Sequence, residues 1–208
     1  MLPALAVLAL AIIAAFLLEL VAPPALMESA ALTFAIVPSR WEQAFALGDY
    51  GVIALSVFGH VFLHGGWLHL IFNLVLLVSV GRALGLRLEQ AARPNLRFLI
   101  VFFGSAACAA FAYVAMNPGS TLPAIGASGA ACGVYSAYLM AVHPDWRRSL
   151  RDPAVLQNGA VFLFANVVLA YLAATTGFLP IAWQAHLGGF IGGMVLYPLV
   201  AARPRALA

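Results

Sequence analysis

The 208-residue chain is 64% hydrophobic and only 8% charged, with a mean hydropathy of +1.02; this excludes an ordinary water-soluble domain and points to helices packed in lipid. All ten basic residues are arginines, giving a formal charge of +3, and they fall between apolar runs, so they read as topology markers and no nucleic-acid partner is expected. Cys108 and Cys132 lie inside apolar runs, which argues against a disulfide framework or a cysteine-based zinc site.

A hydrocarbon core of about 30 Å needs roughly 20 helical residues. Six such runs are predicted, at 3–22, 66–82, 95–116, 127–142, 157–175 and 183–201, giving an all-α, polytopic bundle in one domain over 1–208. The first run has no basic flank and exceeds a signal-peptide core, so it is expected to stay as a transmembrane helix. The segment 23–65 is mixed, with Pro23-Pro24, Pro38, Trp41, Phe45 and Phe58 among polar residues. Short helices lying at the membrane interface are expected there.

Arg82, Arg87, Arg93 and Arg97 flank the second connection, Arg147, Arg148 and Arg151 the fourth, and Arg203 and Arg205 follow the last run. Nine of ten arginines therefore share one side, expected to be the cytoplasm with both termini, while Glu28, Glu42 and Asp49 face outward against Arg40.

His60 and His64 have the i, i+4 spacing of zinc ligands, but position 61 is Val where a metalloprotease motif needs Glu. No metal is expected; the two histidines are read as tying the outer loop to the second helix through hydrogen bonds. His69 and Asn73, also i and i+4, share a face and can both donate toward one oxygen.

The fourth helix opens on Gly126-Ala127-Ser128-Gly129, after a stretch broken by Pro118, Gly119, Ser120 and Pro123. A serine at a helix start lies beside free N–H groups and the positive end of the dipole, which favour a developing oxyanion. His186 stands inside the sixth run, where an ionisable side chain is expensive and usually functional. Gly189 and Gly193 lie on its face, and Gly129 and Gly133 form a similar seam on the fourth helix. Packing of the two seams would bring Ser128 to His186, with the imidazole as general base. No acid falls near His186, and Glu19 toward the outer end of the first helix is the sole acid within a span. A dyad is expected, with His186 oriented by packing. His69, Asn73 and the Ser128 amide would form the oxyanion hole. Asn166, Gln184 and His143 are read as two interhelical polar contacts and a solvated helix end; Tyr135, Tyr138 and Trp183 as packing or interface aromatics, and Cys132 as a small core residue.

In combination these motifs resemble the rhomboid intramembrane proteases, from about His60 to Gly193. The family's second-helix His and Asn resemble His69 and Asn73, its GxSG serine resembles Ser128 with Gly126 and Gly129, and its last-helix histidine and GxxxG resemble His186, Gly189 and Gly193. His60 and His64 resemble upstream histidines of bacterial members. The resemblance implies a six-helix bundle with an outward-opening cavity and a catalytic core over about 55–201. It also implies cofactor-free serine endopeptidase activity on single-span membrane proteins, within a prokaryotic inner or plasma membrane. Leu55-Ser56, Gly85 and Cys132 depart from the family's Trp-Arg pair, glutamate and aromatic, so that loop anchor and that support for His186 are expected to be missing. The competing reading is an inactive rhomboid-like protein that binds membrane clients; a channel or transporter is disfavoured because the polar residues gather toward one membrane side.

Overall fold

The computed structural model describes residues 1–176 and 181–201; Arg203 and Arg205, counted above for topology, lie outside the described residues. The described residues form ten α-helices: α1 (Pro3–Val21), α2 (Pro24–Phe34), α3 (Pro38–Leu47), α4 (Tyr50–Gly59), α5 (Trp67–Leu88), α6 (Pro94–Met116), α7 (Ser128–Met140), α8 (Trp146–Ser149), α9 (Pro153–Thr176) and α10 (Trp183–Val200), with a 3-10 turn at His60–Phe62 after α4. Among the described residues no strand forms, and a lone bridge joins Ile36 to Ala124. The all-helical membrane bundle expected from composition is what the chain builds.

Proline supplies much of the punctuation. Pro3, Pro24, Pro38, Pro94 and Pro153 each open a helix, where a missing N–H is no loss and the fixed φ is already helical. The segment 23–65 forms three short helices and the turn, as its mixed composition suggested. Among the described residues four helices are long and apolar enough to cross a membrane: α1, α5, α6 and α9. At 13 residues α7 is shorter than the predicted 127–142, because the chain leaves the helix at Ala141. Helix α10 is diluted by Gln184, His186 and four glycines.

Helix α7 forms the centre of the bundle with no exposed residue, and α10 lays its glycine face on it while Ile191, Val195 and Leu199 stay exposed on the other side. Gly129 and Gly133 of α7 meet Gly189 and Gly193 of α10 so closely that a Cβ on Gly189 would strike the Gly129 carbonyl, and one on Gly193 the Gly133 carbonyl. Helix α6 closes the third side, its Cys108 carbonyl 2.7 Å from where a Cβ on Gly188 would stand. Ser136 fixes the register by donating to the Phe190 carbonyl at 2.6 Å. Without water to drive helices together, such close backbone approach is what a membrane bundle gains from glycine.

Helix α1 packs outside α5, where Leu5 lies against Gly81 and Leu2 against Gly85. Gly85 thus makes room for a neighbouring helix at the position of the family's glutamate. The lost loop anchor is also replaced: the Trp41 indole, 1% exposed, donates to Ser56 Oγ at 2.8 Å, and the Gly119 amide donates to Glu42 at 2.7 Å. The outer segment is therefore tied down by Ser56 itself, with the Ile36 and Ala124 backbones exchanging both hydrogen bonds, at 3.0 and 2.8 Å.

The starts of α1 and α6 and the end of α10 lie together. The Ala4 amide donates to Asn95 at 3.1 Å, and Arg97 Nη1 donates to the Val200 carbonyl. The Arg-bearing connections before α6 and after α7 belong to this end, and Ser128 starts α7 at the other. Near the arginine end His143 is not simply solvated: its Nε2 donates to Asp152 at 2.7 Å. That bond holds the Asp152 carboxyl below its usual range, while the other carboxylate oxygen accepts from Ala154 and Val155 and caps α9.

Candidate active site

Ser128 is the first residue of α7, and no side chain caps that end. The N–H groups of the first turn are thus left for another acceptor. The loop delivering the serine is held by Gly126, whose φ of 100° only glycine adopts without strain and whose amide donates to the His60 carbonyl at 2.8 Å. His60, buried, donates its Nδ1–H to Ser56 at 2.9 Å. It therefore links the loop before Ser128 to the Ser56 that anchors Trp41.

His64 acts at the same mouth through its backbone. Its amide donates to both Glu19 carboxylate oxygens at 3.3 Å, and its ring lies 5.1 Å from that of His69. Among the described residues no cluster of three metal-ligating side chains occurs.

His186, half-buried on α10, meets Ser128 across the glycine seam. Its Nε2 lies 2.8 Å from Ser128 Oγ. The other ring nitrogen corrects one expectation: His186 is not held by packing alone, because Nδ1 donates to Asn166 Oδ1 of α9 at 2.9 Å. Asn166 Nδ2 donates in turn to the Phe162 carbonyl at 3.1 Å, which fixes the amide with its oxygen toward the ring. A histidine donating from Nδ1 presents a bare Nε2 to the serine hydroxyl, the arrangement a general base needs.

His69 and Asn73 converge on the same loop. The Gly65 amide donates to His69 Nδ1 at 3.3 Å, leaving Nε2 as the protonated nitrogen. That Nε2 is 2.5 Å, and Asn73 Nδ2 3.7 Å, from the point a Cβ on Gly126 would occupy. Only a glycine can stand there. Asn73 spends one N–H on the His69 carbonyl at 2.7 Å and keeps the other. Both donors thus face the chain entering Ser128.

Gly129, Gly189 and Gly193 serve contact between α7 and α10, as their spacing suggested. Gln184 donates to Asn117 at 3.1 Å and ties α10 to the end of α6. Cys132 is buried with Leu139, Val155 and Phe190, and Tyr135 packs beside Phe162 and Phe190. Asn166, read from the sequence as an interhelical polar contact, makes one between α9 and α10; what sequence reasoning missed is that its partner is His186. Its signal was present, a single Asn in an otherwise apolar stretch of α9, but a polar residue on a membrane helix has many possible partners.

The Rhomboid domain model matches residues 53–203. The chain belongs to the rhomboid family. Two plant relatives show the same kinship: RHOMBOID-like protein 5 of Arabidopsis thaliana is 29% identical over 149 residues, 70% of this chain and 43% of the relative. RHOMBOID-like protein 4 of the same plant is 29% identical over 161 residues, 76% of this chain and 36% of the relative. The chain thus spans less than half the length of either. The rhomboid match takes in α5 to α10 with Ser128, His186, His69 and Asn73, and the apolar helices mark an integral membrane protein. Being plant proteins, these relatives lend no support to the prokaryotic placement expected above.

Proposed function

We propose that this rhomboid is an intramembrane serine endopeptidase that cleaves single-span membrane proteins by a Ser128–His186 mechanism. The observation that carries the reading is the 2.8 Å contact between His186 Nε2 and Ser128 Oγ at an uncapped helix start. On this reading Ser128 attacks the scissile carbonyl while its proton passes to His186. The imidazolium then protonates the leaving amine, and a water activated by the same nitrogen releases the acyl group. No cofactor enters any step. Negative charge developing on the carbonyl oxygen is met by the Ser128 amide, His69 Nε2–H and the free Asn73 N–H. The arginine end faces the cytoplasm, so that Ser128 opens toward the outer side.

The reading is tested with the detergent-purified chain and a fluorophosphonate probe, which reports an activated serine without any knowledge of the natural client. Labelling at Ser128, located by peptide mass, is the expected result. A protein that binds clients without chemistry would stay unlabelled. His69→Leu and Asn73→Ala are each expected to lower kcat on a model transmembrane substrate by roughly 10²- to 10³-fold, the usual effect of losing one oxyanion donor. Unchanged kcat in both would remove them from the oxyanion hole.

A further inference from the structure

A serine–histidine pair works only while the ring presents its unprotonated nitrogen to the hydroxyl, so whatever holds Nδ1 determines whether the pair is competent. In this chain Cys132 stands where the family carries an aromatic, and its small side chain is buried with Phe190 and Val155. Support for the ring has to come from elsewhere.

Helix α9 carries it. Of its 24 residues only Val155 and Asn166 are buried, and the remainder, largely apolar but with Gln157 and Asn158 near its start, is exposed or partly exposed. Asn166 is 9% exposed. It is the one buried polar side chain of a helix that otherwise barely enters the bundle. Its amide is not free to rotate: Nδ2 is committed to the Phe162 carbonyl at 3.1 Å, so Oδ1 faces His186 Nδ1 at 2.9 Å. An amide oxygen accepts and cannot donate, which requires the proton on Nδ1 and leaves Nε2 bare at 2.8 Å from Ser128.

We propose that Asn166 is a positioning residue, which through the Asn166–His186 hydrogen bond fixes the tautomer and orientation of the general base and makes Ser128–His186 competence depend on the seating of α9. The proposal rests on the serine-protease reading. An uncharged acceptor suits the place, because a carboxylate within a membrane helix is costly while an amide oxygen supplies the same lone pair. The chain thereby joins two roles in one residue: Asn166 docks α9 to the bundle and orients the base.

Three variants separate orientation from packing. Asn166→Leu keeps the branching and number of side-chain heavy atoms and favours a lipid-facing helix but removes the acceptor. Asn166→Asp keeps an acceptor and penalises the helix; Asn166→Ala removes both volume and acceptor. The fluorophosphonate labelling rate of Ser128, kcat and KM on a model transmembrane substrate, and thermal unfolding in the same detergent are measured for each.

The expected result is a reversed ranking. Asn166→Leu unfolds at or above the parental temperature yet loses roughly 10- to 100-fold in labelling rate and kcat, with KM within about threefold, as befits general-base catalysis made less efficient. Asn166→Asp is the less stable protein but labels faster than the Leu variant, and Asn166→Ala falls with Leu. A structural role alone would rank activity with stability, Leu above Asp. Parental labelling by Asn166→Leu, or Asp below Leu, would overturn the proposal while leaving the dyad standing. Failure of the parent itself to label at Ser128 would instead overturn the serine-protease reading and this inference with it.

Discussion

Ser128→Ala is expected to reduce cleavage of a model transmembrane substrate by at least about 10⁴-fold, and His186→Ala to do the same, because nucleophile and base act as a unit whose members cannot be removed by halves. The double variant should be no worse than either single one. That non-additivity distinguishes a shared chemical step from two independent contributions to binding. Both side chains are only half-buried, and neither contributes to the glycine seam, so the variants should unfold at the parental temperature. Cleavage that survives in either variant would sink the mechanism.

Gly189→Ala should have the opposite signature, with stability and activity lost together. A Cβ at this position would come against the Gly129 backbone, with the Gly129 Cα at 3.2 Å, and a backbone cannot rotate away as a side chain can. Helices α7 and α10 would have to separate. Overpacking of this kind destabilises by about 1–3 kcal/mol for one methyl and more for Val. Separation also draws His186 away from Ser128, so residual folded protein should be slow. Gly159→Ala on α9 is the control, since its Cβ would meet nothing nearer than Phe190 at 4.0 Å, and the exchange should be neutral or slightly stabilising. Thermal unfolding in micelles checks both. Equal behaviour of the two variants would remove the seam from its role in the fold.

Most of the architecture could be read without coordinates, because lipid makes helix length and apolar content nearly sufficient. The run at 95–116 and the glycine seams are examples. Their consequences are local or depend on spacing along one helix, and both are visible in a string of letters. The misreadings share a different cause. Helix α5 runs on to Leu88, beyond the predicted 82, since neither Arg82 nor Gly85 breaks a helix whose neighbour Leu2, just before α1, fills the space at Gly85. The Trp41–Ser56 anchor and the Asn166–His186 bond each join distant parts of the chain through single side chains. No periodicity announces such a pair. Ser56 and Asn166 are moreover ordinary residues, and only their surroundings give them their roles.

On the proposed proteolytic reading, the shortness of α7 has a consequence for selection among clients. Thirteen residues make a rod of about 20 Å, against a hydrocarbon slab of about 30 Å. With its far end at the arginine side, a helix of that length would stop well short of the opposite boundary of such a slab, and on the proposed topology Ser128 would lie beneath that boundary. The central helix therefore acts as a ruler. A client is measured by how far its susceptible bond can be brought below the surface, and by how readily that stretch gives up its own backbone hydrogen bonds to lie beside the Gly126–Gly129 turn. A helix that holds together at that depth would then be expected to pass by uncut. Discrimination would begin with where a segment loosens, before any pocket reads its residues.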